Sequence, residues 1–173
     1  GPLLSRSDGI AKEYDAALFT ASNRVLAHLL SGSPQFESFT NRLKGIDYLG
    51  AICLAFESSQ QLGEHYWVNI NESESPFIVM IRHTQLIPAN RYNGKEVYYL
   101  GAYVPQDGRR FNLDDATLES EWFAYLKKIF PDFDKSLVTS RHWFRFRDAQ
   151  HVVTTSYADN IPPEKTPIQG LYL

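Results

Sequence analysis

The sequence predicts an α+β domain, an antiparallel or mixed sheet with helices packed on one side. Three observations carry this. Period-2 alternation recurs in short segments between residues 48 and 148, joined by turn-rich links. One strong helical stripe falls at residues 115–130. Two shorter helical patterns stand near the start, so the order is strand, two helices, four strands, a long helix and a strand.

Tyr14 to Thr20 reads as a short buried strand. A helix is expected over Asn23 to Leu30, where Val25, Leu26, Leu29 and Leu30 have helical spacing and Ser22 stands at the cap. Gly32-Ser33-Pro34 breaks the chain. A second helix is expected with Ser33 as cap and Pro34 at its first position, placing Phe36, Phe39 and Leu43 on one face. Strands follow at Tyr48 to Phe56, Tyr66 to Asn71, Phe77 to Thr84 and Val97 to Val104. The third would point Phe77, Val79, Ile81 and His83 one way, and the fourth Val97, Tyr99 and Tyr103. In the long helix, Leu118, Trp122, Phe123, Leu126, Ile129 and Phe130 form the apolar stripe. Asn112 or Asp114 would cap it and Pro131 would stop it. The last long strand, about Ser140 to Asp148, alternates Arg141, Trp143, Arg145 and Arg147 with His142, Phe144, Phe146 and Asp148. Beyond Val153 the chain reads as irregular until Gly170-Leu171-Tyr172-Leu173, the start of a strand.

The 173 residues suffice for one domain with a core, and 43% hydrophobic with 21% charged residues is ordinary for a globular protein. The net charge of -3 and the lack of a basic run give no phosphate-tracking surface, so no nucleic-acid partner is expected. No apolar stretch reaches the roughly 20 residues a membrane-spanning helix needs. No signal-peptide pattern opens the chain. Cys53 is the only cysteine and sits in an apolar run, so a buried, inert thiol and a reducing, cytoplasmic setting are expected. Gly1-Pro2 has the form of a purification-tag remnant, and residues 1–13 are read as that remnant and a linker.

The usual catalytic patterns are missing. There is no Gly-x-Gly-x-x-Gly and no phosphate-binding Gly-x-x-x-x-Gly-Lys loop. His28, His65, His83, His142 and His151 show no metal-ligand spacing with one another or with Cys53, so no metal is expected. Cys53 with a distant histidine as a nucleophilic pair has no local support. Arg82-His83-Thr84 closes an apolar run, either as a strand emerging into solvent or as a strand end presenting His83 to a cleft. The arginines at 141, 145 and 147 form either a solvated face paired with acidic neighbours or an anion-binding face. Trp67, Tyr99 and Tyr103 either pack a core or line a ligand pocket.

Phe146-Arg147-Asp148-Ala149-Gln150-His151-Val152-Val153-Thr154, then Ile161-Pro162-Pro163 and Thr166-Pro167-Ile168-Gln169-Gly170-Leu171-Tyr172-Leu173, resembles the amine-oxidase and protoporphyrinogen-oxidase-like flavoproteins. His151 stands where that family usually has proline. Tyr14-Asp15-Ala16-Ala17-Leu18-Phe19-Thr20 resembles the family strand that leaves the FAD domain. Tyr48 to Leu54, Tyr66 to Ile70, and Ile81 through Pro88 are similar to a bacterial subgroup. The resemblance implies that residues 14–173 are one substrate-binding domain, with 14–20 and 168–173 as edge strands of an FAD domain lying outside this chain, and with the two ends adjacent. It implies FAD in the longer parent and none bound to this chain. The partners are then a small-molecule substrate and the FAD domain of the same polypeptide, and the chain alone is inactive. Gln150, His83, Trp67, Tyr99 and Arg147 are the substrate-facing candidates, with Gln150 on the loop that approaches the flavin. A stand-alone ligand-binding or interaction module with the same fold is the alternative, and a small enzyme using Cys53 or His83 directly is a third.

Overall fold

The computed structural model describes residues 3–5, 9–155 and 157–173, the first of these in backbone only. The expected tag remnant, Gly1-Pro2, lies outside the described residues. In chain order the elements are β1 (Leu3–Ser5), β2 (Ala11–Glu13), β3 (Ala17–Leu18), α1 (Asn23–Leu29), α2 (Glu37–Lys44), β4 (Tyr48–Ser58), β5 (Trp67–Asn69), β6 (Val79–Arg82), β7 (Glu96–Pro105), α3 (Asp115–Ile129), β8 (Val138–His151), α4 (Tyr157–Asn160) and β9 (Leu171–Tyr172). They divide into two compact units, residues 1–47 with 151–173, and residues 48–150.

In the first unit, β1 and β2 pair antiparallel where the sequence reading placed a linker. Ser22 caps α1 as expected, its hydroxyl accepting the Val25 N–H at 3.4 Å. The second helix differs from expectation. Pro34–Phe36 form a 3-10 turn, Ser33 makes no capping bond, and α2 starts only at Glu37. Phe36, at φ -112° and ψ 8°, interrupts the helical run between them. Leu26, Ala27, Phe39, Leu43 and Leu171 close a small core. The expected buried strand over 14–20 shrinks to Ala17–Leu18, with Leu18 68% exposed. Among the described residues its strand partner is β9, in parallel, and Ala17 packs on the small core. Ala17 N–H donates to Gly170 and Phe19 N–H to Tyr172, both at 2.8 Å.

The second unit is a five-stranded sheet in the order β5-β6-β7-β4-β8, with α3 packed on one face. The β5–β6, β6–β7 and β7–β4 pairs are antiparallel. Alternation in β4 and β7 turns Ile52, Leu54, Phe56, Tyr98, Leu100, Ala102 and Val104 to the inner face, where they meet Leu118, Trp122, Phe123 and Leu126 of α3. The helix starts where expected. Asp114 accepts the Thr117 N–H at 2.9 Å and the Thr117 hydroxyl at 2.8 Å. Phe130 is its C-cap, and Pro131 follows, unable to continue the ladder. Gly50 lies under the Phe111 ring, where a Cβ would stand 2.6 Å from Cε2.

Two strand expectations are corrected. The strand over 66–71 keeps only Trp67–Asn69. The strand over 77–84 covers only Val79–Arg82, and His83–Gln85 turn into a 3-10 helix. Phe77 is fully buried while Val79 and Ile81 are half-buried on the other face, so the predicted common face of Phe77, Val79, Ile81 and His83 does not form. The alternation breaks at Ile78, whose N–H bonds Gly101 although Val79 is the residue registered with Gly101.

Candidate functional site

The face of the five-stranded sheet opposite α3 is the candidate site. Strand register builds it row by row. Trp67 stands opposite Ile81, Ile81 opposite Tyr99, and Tyr99 opposite Ala55. The next row runs Asn69, Val79, Gly101 and Cys53. Tyr103 stands opposite Ala51. On β8, Trp143 packs on Trp122 at 5.0 Å and Arg145 bonds the Leu113 carbonyl, so alternation sends Phe144 and Phe146 to the opposite, outer face. The outer face is therefore small in its middle and aromatic around it. Trp67 is 51% exposed, Tyr103 48% and Phe146 56%. A solvated face of an antiparallel sheet is normally polar, and the apolar side chains here make this face the candidate.

His83 sits at one end of this face. Its Nε2 is 2.8 Å from the Tyr92 hydroxyl, and its ring meets those of Tyr92 and Tyr99 edge-on at 5.5 and 5.8 Å. What holds it there lies on the other side of the sheet. Arg82 grips Glu96 with two N–H groups, Nε at 2.8 Å and Nη2 at 3.1 Å, and gives Nη1 to the Gly63 carbonyl at 3.0 Å. The Thr84 hydroxyl also donates to Glu96. The residues on both sides of His83 are thus tied to one carboxylate. This anchors the turn at 83–85 on both sides of His83. The Arg82 hydrogen bonds hold the Glu96 carboxyl below the usual carboxylate range against the opposing effect of burial.

The arginines of β8 point the other way. Arg141 pairs with Glu119, Arg145 with Asp115 at 2.7 Å, and Arg147 lies over the Phe111 ring at 5.2 Å. Of the two sequence readings, pairing with acidic neighbours is the one found for Arg141 and Arg145. The outer face thus brings together Trp67, His83 and Tyr99 of the sequence candidates. Arg147 is on the inner side, and Gln150 is exposed near the end of β8. Cys53 is on the outer face, half-buried, and burial pushes its thiol pKa up, away from thiolate character. Tyr92 and Glu96 escaped the sequence reading, because nothing in their spacing connects them to His83. Phe144 and Phe146 were legible only as one half of an alternation whose core-facing half had yet to be identified.

Among the described residues no group of three or more His, Cys, Asp or Glu is placed to hold a metal ion. None of their helices is long and apolar enough to cross a membrane. One concavity is lined by Leu30, Pro34, Glu37, Thr40 and Lys44.

The model of the flavin containing amine oxidoreductase family matches residues 3–173. No match was found among curated proteins. Among solved structures, reduced UDP-galactopyranose mutase is similar over 91% of this chain and 35% of its own, with 13% identity and a TM-score of 0.69. An oxidoreductase from Methanosarcina mazei is similar over 98% and 41%, with 16% identity and a TM-score of 0.70. A protoporphyrinogen oxidase-like protein from Exiguobacterium sp. 255-15 is similar over 91% and 34%, with 15% identity and a TM-score of 0.61. The chain spans between about a third and two fifths of the length of these proteins, and at these identities the likeness is one of fold.

Proposed function

Because the chain belongs to the flavin containing amine oxidoreductase family, we propose that it is the substrate-binding domain of an FAD-dependent oxidoreductase. The observation that carries this reading is the outer sheet face. It is apolar and aromatic, and Trp67, Tyr103, Phe144 and Phe146 on it stay about half exposed, as the wall of a cavity completed by another part of the polypeptide should be. Trp67, Tyr99 and His83 face the substrate, and Gln150 approaches the flavin from the end of β8. Arg147, stacked on Phe111, supports β8 from behind.

The sequence has no glycine-rich turn to hold a dinucleotide. The fit to FAD is therefore partial: the open face suits the ring system and the substrate beside it, and the phosphates need segments outside these residues. When bound, the flavin supplies two-electron acceptance from a C–N or C–C bond. This chain would orient the substrate and exclude water. It would be inactive alone and cytoplasmic.

The test compares this chain with a longer polypeptide that carries the flanking segments. Absorbance near the flavin bands should show a colourless 173-residue chain and a yellow longer one. A longer polypeptide that is colourless and takes up no added FAD sinks the proposal. Activity in the short chain that disappears with Cys53→Ala would replace it with direct cysteine chemistry.

A further inference from the structure

We infer that the substrate received by the outer face is uncharged and ring-bearing, with a hydrogen-bonding group at one end, and that phosphorylated or carboxylated molecules are rejected there. The inference rests on the reading of that face as a substrate wall and adds the class of molecule it takes.

The argument is one of charge placement. Every arginine carried by β6 and β8 faces away from this surface. Arg82 is turned inward and spent on Glu96 and the Gly63 carbonyl. Arg141 and Arg145 are paired with Glu119 and Asp115, and Arg147 lies against Phe111, all on the inner side. Within the register rows of the outer face, Ala51, Cys53, Ala55, Val79, Ile81, Tyr99, Gly101 and Tyr103 bring no charge. The next outward position along β4 is a carboxylate, Glu57. An anion pressed against this surface would lose its water, find no lysine or arginine of the five strands turned toward it, and meet a negative group. The polar groups that are present suit a neutral partner. Trp67 Nε1 donates to Asn69 Oδ1 at 2.8 Å on β5, and His83 pairs with the Tyr92 hydroxyl beside it.

Shape adds a direction. The His83–Tyr92 pair stands beside Tyr99 on β7, whereas Phe144 and Phe146 are on β8, two strands away and so about 10 Å distant across the sheet. Between them the floor is low: Cys53 faces Gly101, and Ala51 and Ala55 flank that pair along β4. A flat ring system laid across this floor would touch aromatic edges at both sides and place one polar group at His83.

Two isosteric probes that differ only in charge decide the matter: naphthalene-2-carboxamide and naphthalene-2-carboxylate, titrated separately at pH 8 into the longer polypeptide that carries the flanking segments. Binding is read by NMR from the Trp67 indole N–H, assigned with Trp67→Phe, and from the rings of Tyr99 and Tyr103. The carboxamide should shift these signals, with the carboxylate at least tenfold weaker. A carboxylate that shifts them at equal or lower concentration overturns the inference and leaves the substrate wall standing. If neither probe shifts them, the wall itself is refuted, and the inference goes with it.

Discussion

Glu96→Ala should be the most damaging single change on the sheet away from its hydrophobic core. The carboxylate takes two N–H groups from Arg82 and the Thr84 hydroxyl, and the side chains of Arg82 and Glu96 are only 8% and 14% exposed. Truncation leaves a buried guanidinium with the Gly63 carbonyl as its remaining fixed acceptor. Removing one partner of a buried pair costs about 3–5 kcal/mol. The residual opening to solvent at Glu96 favours the lower end, about 3 kcal/mol. With a urea slope of about 2 kcal/mol per molar, the midpoint should fall by about 1.5 M. Trp122 and Trp143, both packed in the same unit, supply the fluorescence signal. The double change Arg82→Met with Glu96→Leu removes both charges and should cost much less than Glu96→Ala alone. A loss below about 1 kcal/mol for Glu96→Ala, or a double variant worse than the sum of the singles, would show that the pair is solvated and does not fix the turn carrying His83.

The same pair sets a pH dependence. Arg82 holds the Glu96 pKa down, so its stabilisation is complete above the unfolded carboxylate value near 4.3 and is lost as pH falls through the lower folded value. Urea midpoints measured down that acid range should show a segment of decline in the natural chain that Glu96→Gln lacks. Tyr98→Phe should cost about 1–3 kcal/mol by urea unfolding, because the buried Tyr98 hydroxyl accepts the Leu62 N–H at 2.7 Å and donates to the Gln60 carbonyl. Burial also pushes the Tyr98 phenol up to about 12, so ultraviolet titration should find it silent until the chain unfolds in alkali. Phe146→Ser should change stability by no more than about 0.5 kcal/mol, since the ring is mostly exposed on the outer face; a loss above about 2 kcal/mol would mean it is core.

Regular elements with a full pattern were legible. Asp114, the stripe from Leu118 to Leu126 and Pro131 announce α3 within a residue at each end, because capping, periodicity and termination are local properties. The β4 and β7 strands were equally plain. What failed was governed by partners far along the chain. The strand over 77–84 gives way to a turn whose anchor, Glu96, stands more than ten positions later. Among the described residues the strand over 14–20 pairs at Ala17–Leu18 with β9, about 150 positions later. The make-up of the candidate face was half legible for the same reason. Trp67, His83 and Tyr99 stand out by residue type, but which side of β8 bears arginines and which bears phenylalanines depends on where α3 packs. The family resemblance read from the two ends and the middle agrees with the match over residues 3–173.

The parallel pair of β3 with β9 has a kinetic consequence. It joins residues about 150 positions apart, and closing so long a loop costs conformational entropy before any hydrogen bond repays it. The β5–β6 and β7–β4 ladders span much shorter separations and rest on a large shared core. Residues 48–150 should therefore assemble first, and the β3–β9 junction should close last and open most readily. In hydrogen exchange, the amides of Ala17 and Phe19 should be lost well before those of Leu54 and Leu100, which makes the seam between the two chain ends the place where this protein first comes apart.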